Sequence, residues 1–429
     1  MTADAVLTGA KLTQPPIHRV IIAASVGNAL EWFDFLIYGY FAVTISKVFF
    51  PVGDETVSLL VTLGTFGLAY LVRPLGAIVL GAYADRAGRK AALMLSILLM
   101  MIGTTMMAVI PSYEAIGIAA PVTVLLARLI QGFSVGGEFG SATAYLVEHS
   151  KNRKGFMASW QWASQGLTGL VASGFGVALA SSLTPDQLLS WGWRVPFFFG
   201  LLIGPVGLYI RSRMLETPEF AAAERNDAPI RTLLTEQPGA VLIAIGASVI
   251  SNSSNYLILY IPTYAVTQLH LPQATGFIAT LVGAIILGSV ALIAGHWSDK
   301  IGRTRIMFVM TVLFFITSYP IFAAMVAYPS LATAILAAGW LSLVKAGYSG
   351  VLPSLLSELF PTETRAIGMS FSYSVSVTIF GGFAPFVATW LIAQTGDKLS
   401  PSYYLMATSV LSMIAIAAAG WRLRAGPAH

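Results

Sequence analysis

GAYADRAGRK at residues 81–90 and GHWSDKIGRTR at residues 295–305 are two renderings of one pattern, G-x-x-x-D-[RK]-x-G-R. Each closes a long apolar run with a short, positively charged turn. Their first glycines, Gly81 and Gly295, lie 214 residues apart in a chain of 429. A looser echo pairs YLVEHSKNRKG (145–155) with LLSELFPTETRAIG (355–368), whose closing glycines lie 213 apart. Two echoes at nearly one offset, close to half the length, indicate two copies of one unit.

The apolar runs between these turns set the solvent. The chain is 56% hydrophobic and only 10% charged, with a mean hydropathy of +0.77; a soluble domain carries about 25% charged residues. A helix needs roughly 20 apolar residues to cross about 30 Å of hydrocarbon. Twelve runs meet that need, near 20–45, 57–81, 90–110, 119–147, 155–182, 192–213, 238–267, 273–296, 305–327, 331–357, 366–394 and 402–423. They lack the alternation of a β-barrel, so they read as helices. The expected fold is an all-α polytopic membrane protein with two pseudo-symmetric six-helix bundles, residues 1–213 and 238–429. The polar segment 214–237 is expected to join them as a cytoplasmic linker.

Of the 24 Lys and Arg, 18 fall on one side of the twelve spans, three on the other (Lys47, Arg194 and Lys398) and three inside (Arg73, Arg128 and Lys345). That asymmetry is the positive-inside signal and places both termini in the cytoplasm of a bacterial-type inner membrane. It also accounts for the basic pI of 9.3 without nucleic acid. The polar start lacks a short apolar core with a cleavage site, so the first span reads as an uncleaved anchor. Without cysteine, disulfides and thiolate metal sites are excluded.

Ionisable residues at membrane depth are functional candidates by default. Here they are Glu31, Asp34, Arg73, Arg128, Glu138 and Lys345. Glu31 stands 12 residues beyond Arg19, about 18 Å along a helix. Asn28, Glu31, Asp34 and Tyr38 form a loose stripe on one face. A second stripe, Gln161, Gln165 and Thr168, lies beside Trp160 and Trp162 in span 5. A third cluster, SNSSNY (251–256), brings Asn252, Asn255 and Tyr256 to mid-span 7. Ser251, Ser253 and Ser254 read as interhelical hydrogen-bonders. Ser349 follows Lys345 by one helical turn. Glycine and proline in FGGFAP of span 11 and IPTY of span 7 suggest flexible points.

In the turns, Asp85 and Asp299 can accept from Arg or Lys. Glu148 and Glu358 are candidate partners for Arg89, Arg303 or Arg365. With Gly81, Arg86, Gly88, Gly295 and Glu138 they make a candidate closure at the cytoplasmic side.

The doubled turn and the 6+6 layout resemble the major facilitator superfamily. GNALEWFDF (27–35), RPLGAIVLGAYADRAGRK (73–90), LLARLIQGFSVGGEFG (125–140) and WGWRVPFFFG (191–200) resemble its metabolite:proton symporter family. FGGFAPFVATWLIAQTGDKLSPSYYLM (380–406) is most similar to the citrate and tricarboxylate symporters of that family. The resemblance covers essentially the whole chain. It implies alternating access by two rocking bundles, spans 1 and 4 lining the cavity, and pairing of a span 1 carboxylate with Arg128.

Together these readings lead to a secondary active transporter, not an enzyme, that imports an organic carboxylate such as citrate or a related di- or tricarboxylate by proton symport. Glu31, Asp34 and Arg128 are the expected proton-coupling set, because a carboxylate between burial and a guanidinium can be tuned to exchange protons. Which acid takes the proton stays open, and so does a static ion pair. Arg128, Lys345, Arg73, Tyr38, Gln161, Gln165, Asn252, Asn255 and Ser349 are the expected substrate contacts. Snorkelling or pairing with Glu138 is open for Lys345, and a structural bridge for Arg73. A proton-coupled osmolyte (proline or betaine) symporter of the same family is the alternative. The five scattered histidines, 18, 149, 270, 296 and 429, form no catalytic or metal constellation, and no phosphate-binding loop is present. No cofactor or metal is expected; the coupling ion is H+, with Na+ left open. The expected partners are a small organic anion and the lipid bilayer, with the monomer as the working unit.

Overall fold

The computed structural model describes residues 17–425 except 88, 137, 149, 151, 213–228 and 363. Most of the expected 214–237 linker therefore lies outside the described residues; its remainder contains a short helix, Pro229–Glu236. Nine helical stretches among the described residues are long and apolar enough to cross a membrane. The expected first, third and sixth spans fall on further helices, Ile17–Tyr40, Arg89–Val109 and Val195–Ser212. No strand occurs among the described residues.

The remaining spans keep the numbering of the apolar runs. Span 2 is Glu55–Leu71 with Arg73–Ala87, and span 4 is Ala119–Ser134 with Glu138–Glu148. Span 5 is Lys154–Ser182, span 7 Pro238–Thr267, span 8 Gln273–Ile301 and span 9 Arg303–Ala327. Span 10 is Leu331–Ser349 with Leu352–Leu359. Span 11 is Arg365–Ser376, a wide π turn Val377–Gly382, and Ala384–Thr395; span 12 is Ser400–Ala425.

Antiparallel spans 5 and 8 pack along their whole length. Gly155 meets Gly295 near the basic end, Gly166 meets Gly288 midway, and Gly176 lies under the Phe277 ring at the other end. The first of these contacts explains the leading glycine of the second repeat: a Cβ on Gly295 would stand 2.6 Å from the Gly155 carbonyl oxygen. Backbones this close are how helices associate where water gives no hydrophobic drive. The later glycine of the same repeat, Gly302, turns the chain between spans 8 and 9 with φ of +102°, a conformation glycine adopts without steric cost.

Spans 2 and 11 meet at their breaks. Pro74 has no N–H to return to the Tyr70 carbonyl one turn earlier. That oxygen accepts instead from the Val72 N–H and, across the interface, from Thr378 Oγ1 at 2.7 Å. Thr378 sits in the π turn of span 11, whose own register is interrupted in a similar way. Pro385 has no N–H to return to the Gly381 carbonyl one turn earlier, and that oxygen accepts from the Phe383 N–H. The adjacent Phe380 carbonyl accepts from Tyr404 Oη (2.9 Å) and Ser253 Oγ (3.2 Å). Helix breaks at membrane depth persist where neighbours re-satisfy the freed groups in this way.

The two ends of the bundle are both closed. Toward the basic end Phe139 of span 4 stacks on Tyr373 of span 11, with centroids 3.8 Å apart and planes 8° from parallel. Ser370 Oγ accepts from the Gly140 N–H at 3.0 Å. Toward the opposite end Phe383 covers Gly67, and Phe41 packs on Phe277 at 5.3 Å. The polar residues between these closures are enclosed.

Thr378→Val removes the donor to Tyr70 O and is expected to destabilise the protein by about 0.5–1.5 kcal/mol, whereas Thr378→Ser keeps wild-type stability. Thermal unfolding in detergent checks this; equal midpoints for the Val and Ser variants would show that the bond contributes nothing.

Candidate functional site

Two polar clusters lie between the closures, one on spans 1, 3 and 4 and one on spans 5, 7 and 10. In the first, Asp34 and Arg128 are buried. Pairing of a span 1 carboxylate with Arg128 is the expectation from sequence; for Asp34 the structure differs, with no direct ion pair to Arg128 among the described residues, and the side chain of Glu31 lies outside them. Gln131 stands between. Arg128 Nη1 donates to Gln131 Oε1 at 2.7 Å, and Gln131 Nε2 donates to Asp34 Oδ2 at 3.2 Å. Thr104 of span 3 also donates to Asp34 Oδ2 and to its own Met100 carbonyl. Gln131 and Thr104 were not singled out from sequence, since a lone uncharged polar residue in a span gives no sign of its partner.

Aromatic faces enclose the rest of the guanidinium. Arg128 Cζ lies 4.5 Å from the Phe35 centroid, 4.5 Å from Tyr38 and 5.6 Å from Phe66. Such cation–π contacts strengthen when desolvated. Arg128 Nε and Nη2, the two donors that share one edge of the guanidinium, have no hydrogen-bond partner among the described residues; nor has Asp34 Oδ1. Arg73 lies over Tyr70 at 4.5 Å, Phe35 at 5.0 Å and Trp32 at 5.9 Å. Tyr38 Oη donates to the Thr62 carbonyl at 3.1 Å. Glu31 has a side chain outside the described residues.

In the second cluster Lys345 is buried and donates to Asn255 Oδ1. Its ammonium lies 4.9 Å from the Trp162 ring centre. Gln165 Nε2 shares the same Asn255 oxygen at 3.4 Å, so spans 5, 7 and 10 converge on one amide. The partner of Lys345 among the described residues is thus a neutral amide; the side chain of Glu138, the other candidate partner, lies outside them. Ser349 is turned to another partner: its Oγ meets Ser251 Oγ at 2.7 Å. Asn252 donates to Ser376 Oγ at 3.2 Å. Asn28 and Gln161 form a reciprocal pair between spans 1 and 5, Asn28 Nδ2 reaching Gln161 O (2.8 Å) and Gln161 Nε2 reaching Asn28 Oδ1 (3.1 Å).

At the basic end Asp299 acts as a cap. Its Oδ1 and Oδ2 accept from the N–H groups of Gly155 (2.8 Å) and Phe156 (3.1 Å) at the start of span 5, where a helix exposes unpaired donors and positive potential. Arg303 Nη2 lies 3.6 Å from Asp299, and Arg303 Nη1 pairs with Glu358. Arg365 takes a different partner, the Ser357 carbonyl at 2.9 Å. A cavity of about 380 Å³ opens here, lined by Asn152, Lys154, Asp299, Arg303 and Glu358 among others. In the first repeat Gly88 lies outside the described residues, as do the side-chain surroundings of Gly81, Asp85, Arg86, Arg89 and Glu138. Glu148 is exposed at the end of span 4.

Residues 20–240 match the Sugar (and other) transporter family model, and residues 243–429 match that of the Major Facilitator Superfamily. The chain belongs to the major facilitator superfamily. It is 38% identical over 399 residues to a citrate-proton symporter of Klebsiella pneumoniae, covering 92% of this chain and 90% of that protein. It is 36% identical to the glycine betaine/proline/ectoine/pipecolic acid transporter OusA of Dickeya dadantii, over 93% and 82% of the two chains. Among solved structures it resembles the partially occluded inward-open xylose transporter XylE from E. coli, with a TM-score of 0.74 at 17% identity over 93% and 96% of the chains. The protein is a multi-pass membrane transporter of this superfamily and not an enzyme.

Removing the acceptor of a buried ammonium leaves its desolvation uncompensated. Asn255→Leu is expected to cost about 1–3 kcal/mol, and Asn255→Leu combined with Lys345→Met to recover most of the loss. Thermal midpoints of the single and double variants check this; additive effects would show that the two side chains do not interact.

Proposed function

We propose that this transporter carries an organic carboxylate, a di- or tricarboxylate of the citrate class, together with protons into the cell. The observation that supports this reading most directly is the Nε–Nη2 edge of Arg128. These two parallel N–H vectors match the two oxygens of a carboxylate, and the edge is buried without an acceptor among the described residues. Leaving it so is costly unless a ligand spends part of the cycle on it.

Lys345 supplies a second positive charge on span 10. A ligand with two or three carboxylates can use both cations, one from each six-helix body. Residues 1–213 and 238–429 are the two bodies on this reading, joined by 214–237 and rocking about the spans 5–8 and 2–11 contacts. The basic end faces the cytoplasm, with both termini there. Asp299 and the Arg303–Glu358 pair close that side between turnovers. Gln161, Gln165, Asn252 and Asn255 orient the ligand by hydrogen bonds, and one chain suffices.

The relatedness to osmolyte transporters makes a zwitterion such as proline or betaine the competing substrate. A quaternary ammonium needs open aromatic faces. Here the rings of Phe35, Tyr38 and Tyr70 already lie against guanidinium groups, which favours the anion.

Uptake of a labelled panel (citrate, a dicarboxylate, proline, betaine) into proteoliposomes, with pH and sodium gradients imposed separately, tests the assignment. Citrate accumulation driven by the pH gradient is expected. Accumulation of proline or betaine alone would overturn the anion reading, and accumulation driven by sodium alone would overturn the proton. Arg128→Gln is expected to abolish accumulation, and full uphill uptake by that variant would refute the shared-cation site. Lys345→Met is expected to weaken citrate binding by at least about tenfold, near 1.4 kcal/mol; unchanged affinity would remove Lys345 from the site.

A further inference from the structure

The amide of Gln131 can point only one way. Arginine donates and never accepts, so Oε1 must face Arg128 Nη1, and the NH₂ group is thereby turned toward Asp34. An ionised Asp34 only accepts and therefore holds that orientation. A hydrogen-bonded chain carboxylate–amide–guanidinium results, in which each bond polarises the next. The carboxylate's charge reaches Arg128 through the glutamine.

We propose that Gln131 is the positioning residue that couples the proton on Asp34 to the anion on Arg128. The inference rests on the symport reading above and adds the element that links its two ligands. While Asp34 is ionised, the polarised amide holds Arg128 Nη1 and supplies it with compensating negative charge. A proton binds Asp34 at Oδ1, the oxygen with no partner among the described residues. One O–H bond forms there and none in the protein breaks. The amide then loses its anionic acceptor, its hold on Nη1 weakens, and Arg128 is left with its charge for a substrate carboxylate. By linkage, substrate on Arg128 favours the protonated Asp34 to the same degree.

The geometry is built tightly around this side chain. A Cβ on Gly103 of span 3 would lie 2.5 Å from Gln131 Cγ, so the glycine makes the room. Ser134 Oγ donates to the Gln131 carbonyl at 2.7 Å and braces the backbone. The titratable or charged groups around Asp34 and Arg128 are Tyr38 on span 1 and Tyr70 and Arg73 on span 2. Span 3 contributes Thr104, and span 6 approaches Asp34 Oδ1 with Gly200. Tyrosine and arginine ordinarily titrate at about pH 10 and above. Asp34, and Glu31 on the same helix, are therefore the carboxyls to separate by mutation.

The test uses the full-length protein in proteoliposomes with Gln131→Leu and the more nearly isosteric Gln131→Met, beside Asp34→Asn and Glu31→Gln. Three quantities are read: citrate binding across pH 5–8, equilibrium exchange of labelled citrate without a pH gradient, and accumulation with one. For both Gln131 variants the pH dependence of citrate affinity is expected to flatten as in Asp34→Asn, and accumulation to fall by about 5- to 150-fold, the usual range of coupling between sites. Exchange is expected to fall much less, and Glu31→Gln to keep the pH dependence. Equal loss of exchange and accumulation, or a wild-type pH profile in a Gln131 variant, would overturn the coupling role. Loss of the pH dependence in Glu31→Gln but not in Asp34→Asn would overturn it as well. A wild-type protein whose citrate exchange and binding ignore pH would overturn the symport reading itself.

Discussion

The burial of one guanidinium constrains the rest of the molecule. Moving a charge of this kind out of water costs several kcal/mol even after relaxation, and Arg128 has no exposed surface. The structure compensates it from three sides. Aromatic faces from spans 1 and 2 lie against its plane, Gln131 lies one turn along its own helix, and Asp34 supplies charge through that glutamine. Each of these fixes the rotation of a helix. Span 1 must present Asp34 and Phe35 together toward spans 2, 3 and 4, and span 3 must present Thr104 beside a glycine. Among the described residues the compensation remains incomplete at the Nε–Nη2 edge, and the carboxylate site proposed above rests on that shortfall more than on the contacts made.

The second constraint is the backbone. In hydrocarbon every carbonyl needs a donor from within the protein, so a broken span is tied to whatever satisfies it. Pro74 deprives the Tyr70 carbonyl of its helical donor, and a hydroxyl from another helix donates to it; beside the break at Pro385 the Phe380 carbonyl likewise takes a hydroxyl from another helix. At Tyr70 the donor comes from span 11, 308 residues away in sequence. The same hydrogen bond therefore stabilises a break and joins two spans distant in the chain. A hydroxyl suits this role because its bond is modest, so the interface is held without being locked.

The charges in this site were legible in the sequence because charge in an apolar run is a compositional signal, independent of how helices are rotated. Asp34, Arg128, Lys345 and Arg73 stand out on that ground. So did the break in span 11, because proline and glycine act locally, although span 7 runs as one helix through the Pro262 of IPTY; so too did the repeated turn, whose glycines serve as close-contact and turning points at Gly295 and Gly302. What sequence could not supply was partnership. Gln131 looks like any interhelical hydrogen-bonder until spans 1 and 4 are set in register. Ser349 shares a face with Lys345 by spacing, yet span 7 brings Ser251 close enough to take it. Glu358 was open to Arg89, Arg303 or Arg365 from sequence; the fold gives it to Arg303 and turns Arg365 to a carbonyl. In each case the distance along the chain was right and the crossing of two helices decided the outcome.

The two central cations are compensated in different ways, and that difference bears on how a transporter handles an anion. Among the described residues Lys345 is held by a neutral amide and an indole face, so no acid among them offsets its charge. Arg128 is tied to an acid through an amide, so its charge is partly neutralised. A ligand bearing several carboxylates would meet the uncompensated ammonium with little competition. It would engage the guanidinium fully only after the acid had taken a proton. On the carboxylate–proton symport proposed above, one cation of each kind would let the substrate bind by one end and report the proton at the other.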